Sequence, residues 1–181
     1  MRIEETYLKG SYIITPKVFQ DSRGEFFESF NKRVFEKETG VHLEFVQDNQ
    51  SISFQNALRG LHFQTGPYEQ AKLVRVVQGE VLDICVDLRK DSETFGNHFS
   101  IILNGEDNKQ LFIPKGFAHG FLTLSESAIF CYKCDQYYNQ ESEKGIIYND
   151  EDLNIDWEIR EEKVLLSEKD KNLPTFKSLF K

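Results

Sequence analysis

The 181-residue chain is poor in cysteine, in net positive charge and in long apolar runs, and each shortage removes a class of protein. Its three cysteines, Cys85, Cys131 and Cys134, are an odd set in a chain long enough to fold without staples, so no disulfide framework is expected. Thirty acidic residues against 22 basic ones give a net charge of −8. That argues against general affinity for nucleic acid or anionic membrane, both of which need a basic field, but leaves room for a local basic pocket for one anionic ligand. No stretch approaches the roughly 18 uncharged apolar residues of a membrane span. Met1-Arg2-Ile3-Glu4-Glu5 lacks the apolar core of a signal peptide, so a cytoplasmic protein is expected. No internal repeat, low-complexity tract or Pro/Gly/Ser linker breaks the chain.

What is present is aromatic: 16 Phe, 7 Tyr and 1 Trp within 39% hydrophobic residues, enough for one core. The expectation is a single domain over 1–181, with a barrel core over about 43–135 around which the N-terminal strands and a C-terminal helical segment pack. The dominant period is two. In Glu80 to Lys90, Leu82, Ile84, Val86 and Leu88 alternate with Val81, Asp83, Cys85 and Asp87, the pattern of a half-buried strand. Similar runs are Tyr12 to Ile14, Glu25 to Phe30, Leu43 to Gln47, Lys72 to Val77, His98 to Leu103, Leu111 to Ile113, Phe121 to Leu124 and Ala128 to Tyr132. Gln78-Gly79, Asn104-Gly105 and Pro114-Lys115-Gly116 separate some of them. Many short strands at this spacing indicate an all-β, antiparallel jelly roll rather than βαβ units. Helical signals are confined to the flanks, over Asn31 to Thr39 with Asn31 as cap and Gly40 as stop, and at Ser167-Glu168-Lys169-Asp170. The charged segment after Trp157 should wrap the surface.

Pro114-Lys115-Gly116-Phe117-Ala118-His119 gives P-x-G-x-x-H, which looks like the second motif of a cupin-like barrel. Where a metal-binding cupin has two histidines and then a carboxylate, this chain has His62-Phe63-Gln64 and then Lys72. One imidazole is lost and an ammonium replaces the carboxylate, so no metal site is expected. The Cys131/Cys134 pair lies in a strand-like run without further ligands and carries little metal or redox signal. An acid/base set remains. His62 can take a proton near neutral pH, Lys72 can stabilise a developing oxyanion, and Tyr132, alternating with Phe130 and Cys134, is a phenol able to return a proton. A satisfied core histidine is the bland alternative for His62 taken alone. Arg23 and Arg59 each stand beside a glycine, an arrangement that suits an anion, with surface turn arginines as the alternative. Arg59 and His62 have opposite parity on an ideal strand, so a shared site requires a bulge near Gly60.

Several segments together closely resemble the dTDP-4-dehydrorhamnose 3,5-epimerase family. They are 19–30, Phe45-Val46-Gln47-Asp48-Asn49, Leu58-Arg59-Gly60-Leu61-His62-Phe63-Gln64, Lys72-Leu73-Val74-Arg75, 113–121 and Leu166-Ser167-Glu168-Lys169-Asp170. The resemblance implies a cupin-type jelly roll that needs no cofactor. It also implies inversion of carbons 3 and 5 of dTDP-4-dehydro-6-deoxy-D-glucose, within dTDP-rhamnose and cell-surface polysaccharide biosynthesis. It makes His62 the base, Lys72 the enolate stabiliser, Tyr132 the acid and Asp170 the partner of the histidine, a capping box with Ser167 being the structural alternative for Asp170. It assigns substrate contacts to Arg23, Phe26, Glu28, Gln47, Asp48, Asn49, Arg59, His119, Glu143 and Lys169. Tyr138 stands where relatives stack an aromatic on thymine, with Tyr in place of Trp. Trp157-Glu158 departs from the Trp-Pro of relatives. The family is a homodimer with exchanged strands, and the same is expected here. The rival readings are a mono-epimerase or ketoisomerase on another nucleotide-linked 4-ketosugar, a non-catalytic sugar-nucleotide-binding cupin, and a metal-dependent cupin oxygenase.

Overall fold

The computed structural model describes residues 1–180. In chain order the elements are β1 (Arg2–Glu5), β2 (Tyr12–Thr15), β3 (Val18–Asp21), β4 (Gly24–Phe27), α1 (Lys32–Thr39), β5 (Gln47–Phe54), β6 (Leu58–Gln64), β7 (Lys72–Gln78) and β8 (Glu80–Asp87). They continue with β9 (His98–Asn104), β10 (Gln110–Ile113), β11 (Phe117–Thr123), β12 (Ser127–Cys134), β13 (Glu143–Gly145), α2 (Glu168–Lys171) and α3 (Phe176–Phe180). Two antiparallel sheets, β1-β2-β10-β7-β12-β5 and β13-β6-β11-β8-β9, face each other as a cupin-like jelly roll, while β3 and β4 form a separate hairpin.

Period-two alternation decides what lies between the sheets. Val74 and Val76 of β7, Val81 and Cys85 of β8, Phe121 of β11 and Phe130 of β12 point inward into one buried cluster. The Phe121 and Phe130 rings stack 4.1 Å apart at its centre. Each sheet is also covered on its outer face. Phe35 of α1 packs with Ile14, Leu73 and Phe112, its ring 4.9 Å from that of Phe112. Asn31 caps α1 by accepting from the Val34 amide, and Gly40 ends it in the left-handed region at φ 71°.

The second covering layer corrects the reading of β8 as half-buried. Leu82, Ile84 and Val86 face outward from the barrel but lie beneath Ile146, Leu153, Trp157 and Phe176 of the C-terminal segment, so both faces of the strand are dry. Trp157 donates its indole N–H to the Tyr148 carbonyl at 2.8 Å. Asp150 ties the wrap down through the amides of Leu153 and Phe176. Glu158, where the family resemblance breaks, turns the chain at φ 57° with its amide on Asp156. Strands β1, β3, β6 and β13 lie outside the expected runs, and the bounds of the expected ones differ most in three places. Residues 43–46 are irregular and the strand begins at Gln47, the strand from Glu25 ends at Phe27, and the strand expected from Phe121 already starts at Phe117.

Candidate active site

A cavity of about 500 Å³ opens between the sheets, lined by Ser51, Arg59, His62, Lys72, His119, Tyr132, Lys169 and Asp170 among others. Arg59 and His62 share it because β6 slips register. Against β11, Arg59 pairs with Phe121 and His62 with His119, so the two residues between them on β6 stand opposite one residue of β11. Gly60, at φ 125°, sits in the slip, beside a cis Gly60-Leu61 peptide. A Cβ at Gly60 would lie 2.5 Å from the Gly120 Cα, so only glycine lets the strands approach there.

The C-terminal segment completes the cavity wall. Leu165 bridges to Ala57 in parallel register, and Ser167 then caps α2 by accepting from the Asp170 amide at 3.1 Å. The amide serves the cap, so the carboxylate is free to face the barrel. His62 Nε2 donates to Asp170 Oδ1 at 2.6 Å across 108 residues of sequence. An ionised carboxylate accepts only, so this bond leaves Nδ1 as the lone-pair atom of the neutral ring. Burial opposes ionisation of Asp170, but its bonds to His62, Ser167 and the Gly60 amide overcome that and hold the carboxyl below its ordinary value.

Lys72 and Tyr132 stand together on neighbouring strands, the ammonium 6.0 Å from the phenol ring centroid. Burial lowers the Lys72 ammonium from its usual range, against the pull of Cys134, Asp83 and Glu143. Burial likewise raises the Tyr132 phenol, reinforced by Cys134 and Glu143 and countered by Arg59. Both groups are thereby brought toward the uncharged form. Arg59 donates through Nε to Ser53 at 2.9 Å.

At the rim, Glu143 Oε2 accepts from Tyr138 Oη at 2.7 Å and from Lys169 Nζ at 2.5 Å. Burial opposes that carboxylate, yet these two donors keep Glu143 below its ordinary value. Gln47 accepts from the Tyr138 amide and donates to Asn49 at 3.0 Å. The remaining candidates from the sequence fall elsewhere in the molecule. Asp48 is on the outer face of β5, ion-paired to Lys133 at 2.5 Å, because it alternates with Gln47 and Asn49. Arg23 and Phe26 lie on the exposed β3–β4 hairpin, where Arg23 bonds Asp21 at 2.6 Å and no other side chain among the described residues, and Glu28 accepts from Asn31 at 3.2 Å.

Two cavity features have no counterpart among the sequence motifs. His119, the cross-strand neighbour of His62, is itself paired with the fully buried Asp83 at 2.9 Å. The only sequence signal for that brace is an aspartate at an inward position between Val81 and Cys85. Ser51 presents a buried hydroxyl in the cavity wall. Cys131 and Cys134 occupy opposite faces of β12, and all three cysteines are free. Among the described residues no cluster of three or more His, Cys, Asp or Glu side chains is arranged to hold a metal ion, and no helix is long and apolar enough to cross a membrane.

A cupin-like barrel furnished in this way is equipped for moving protons on a bound organic molecule. The family model for dTDP-4-dehydrorhamnose 3,5-epimerase matches residues 5–178. The protein of that name from Shigella flexneri is 49% identical over 172 residues, covering 95% of this chain and 94% of its own. The crystal structure of the Elizabethkingia anophelis enzyme superposes with a TM-score of 0.96 at 51% identity, over 100% of this chain and 99% of that one. An epimerase from Legionella pneumophila, solved in complex with dTDP-4-keto-L-rhamnose, gives 0.92 at 48% identity, over 96% and 92% of the two chains. The chain belongs to the dTDP-4-dehydrorhamnose 3,5-epimerase family.

Proposed function

We propose that the protein inverts carbons 3 and 5 of dTDP-4-dehydro-6-deoxy-D-glucose without a cofactor, giving dTDP-4-dehydro-L-rhamnose. The observation that carries this reading is the His62–Asp170 bond of 2.6 Å in a cavity shared with Lys72 and Tyr132. Both carbons lie alpha to the carbon-4 ketone, so loss of either proton yields an enolate. His62 takes the proton, and Asp170 fixes its tautomer and stabilises the imidazolium formed. Lys72 offers positive charge to the enolate oxygen. Tyr132 returns a proton from the other face. Its raised phenol suits it to arrive protonated at neutral pH.

His119 and Arg59 contact the substrate from the cavity wall, while Tyr138, Gln47, Asn49, Glu143 and Lys169 form the rim that receives the nucleotide. Arg23, Phe26 and Glu28 reach a site only from a second copy. Phe26 is 70% exposed and Phe19 54% exposed on a hairpin that stands apart from both sheets, a surface suited to burial against a partner. A homodimer of a single-domain chain, acting in the cytoplasm, completes the proposal.

Incubation of the chelator-treated protein with the substrate in deuterated water, followed by proton NMR of the sugar ring, tests the reading. Deuterium at carbons 3 and 5 with inversion at both is expected. Label at one carbon alone would make it a mono-epimerase, and no label would remove the assignment.

A further inference from the structure

Three buried side-chain atoms, Ser51 Oγ, Asp83 Oδ1 and Thr123 Oγ1, have no hydrogen-bond partner among the described residues. Asp83 is the ionisable one, and its residue is wholly inaccessible to solvent. A buried carboxylate with a vacant oxygen is costly, and an apolar residue at this inward position of β8 would pack with Val81 and Cys85 at lower cost. Its surroundings suggest what offsets that cost. Oδ2 accepts from His119 Nε2 at 2.9 Å. The His119 ring is held from its other side by stacking on Phe130, 5.9 Å between centroids at 26°. His119 in turn pairs across the sheet with His62. Two histidines thus stand side by side in the cavity wall, one braced from the C-terminal wrap by Asp170 and the other from the barrel interior by Asp83.

We infer that Asp83 is a positioning residue for the proposed epimerisation, fixing the tautomer and orientation of His119 and supplying the negative charge that faces Lys72. The inference rests on the epimerase reading given above. Three groups on three strands bear on the Lys72 ammonium: Cys134 on β12, Asp83 on β8 and Glu143 on β13, with the Tyr132 ring beside it. Cys134 has its thiol pushed up to about 11, chiefly by burial, so it is uncharged at neutral pH. Glu143 already holds Tyr138 and Lys169 on one oxygen. Asp83, with Cys85 and His119 as its other titratable neighbours, is the fully buried carboxylate of the set, with no Lys or Arg bonded to it and one oxygen unpartnered among the described residues. An enolate needs Lys72 as ammonium rather than amine, so the Asp83 charge acts on the reaction without touching the substrate.

Asp83→Asn keeps the shape and removes the charge. The expected result is a kcat lower by roughly 10–100-fold, the range seen when a residue that orients a site group is lost, with the KM for the nucleotide sugar within about twofold of wild type. The basic limb of the kcat–pH profile should move to lower pH as Lys72 loses its counter-charge. A wild-type kcat with an unmoved basic limb overturns the proposal, as does a rise in KM alone. If the variant does not fold, nitrogen-15 NMR of the imidazole rings in the wild-type protein decides. A proton on His119 Nε2 throughout the neutral range supports Asp83 as its acceptor, and a proton resident on Nδ1 alone overturns it. Loss of the epimerase reading would show separately, as absent deuterium uptake in the wild-type protein, while the ring NMR still reports on Asp83.

Discussion

The barrel cavity and the β3–β4 hairpin both carry residues assigned to one reaction, yet they are physically opposite. In the cavity three of the polar groups are braced by something buried: His62 by Asp170, His119 by Asp83, Arg59 by Ser53. On the hairpin Arg23 is held by Asp21, two residues away, and Phe19 and Phe26 lie open to solvent. On the proposed reading, the difference separates proton transfer, preorganised within one chain where orientation must hold to a fraction of an ångström, from a grip on the pyrophosphate supplied by an open surface and a second copy. It also separates what substitutions in the two regions should do.

The largest effect belongs to the cavity. His62→Ala should lower kcat by about a thousandfold and remove solvent deuterium exchange at both carbons, because general base catalysis contributes on that order. Exchange retained at the wild-type rate would take the base role away from His62. Arg23→Ala should act on binding instead. A charge-assisted bond to phosphate contributes about 1.5–3 kcal/mol, so KM should rise by roughly 10–100-fold with kcat little changed.

Mixing the two variants sharpens the comparison further. If Arg23 serves the partner's cavity, each heterodimer has one cavity with both residues intact, so an equal mixture should regain about a quarter of wild-type activity at low substrate. Activity equal to the sum of the separate variants would place Arg23 at its own chain's cavity, or at none.

The same contrast governs what can be read from the amino-acid sequence. Local rules carry α1, whose cap and stop, Asn31 and Gly40, fall within one ten-residue stretch. The bulge at Gly60 is legible because Arg59 and His62 clash in parity. Strand β5 escapes the local rules since its inward residues, Gln47, Asn49, Ser51 and Ser53, are polar ones facing a cavity, while Ile52 and Phe54 point out, an inversion of the usual alternation. The pairing of Asp83 with His119 spans 36 residues and depends on sheet register, for which no local signal exists. The dryness of β8 on its outer face depends on a C-terminal wrap whose own sequence reads as charged.

The smallest effect compares two acidic residues that each hold an arginine two positions on. Asp87 is fully buried and accepts from Arg89 at 2.7 and 2.8 Å, Ser92 at 2.6 Å and Thr94 at 2.7 Å, while Arg89 also donates to the Lys9 carbonyl. Burial opposes its charge, but these donors prevail and lower its carboxyl from 3.8 to about 2. A folded-state value below the unfolded one means that the unfolded chain binds the proton more readily. The stabilisation is therefore complete above the unfolded value and is lost as pH falls through about 2. Asp87→Asn should cost about 2 kcal/mol at neutral pH by weakening the charged bonds. Thermal unfolding followed from pH 6 down to pH 2 should show the wild type losing stability more steeply than the variant and the two curves converging in acid. Asp21→Asn, in the solvent-exposed Asp21–Arg23 pair of the hairpin, should leave the melting temperature of the free protein unchanged, because water already solvates both charges. A hairpin variant that melted like the Asp87 one would show that the loop is held rigidly before any partner or ligand arrives, and the contrast between braced cavity and open hairpin would fail.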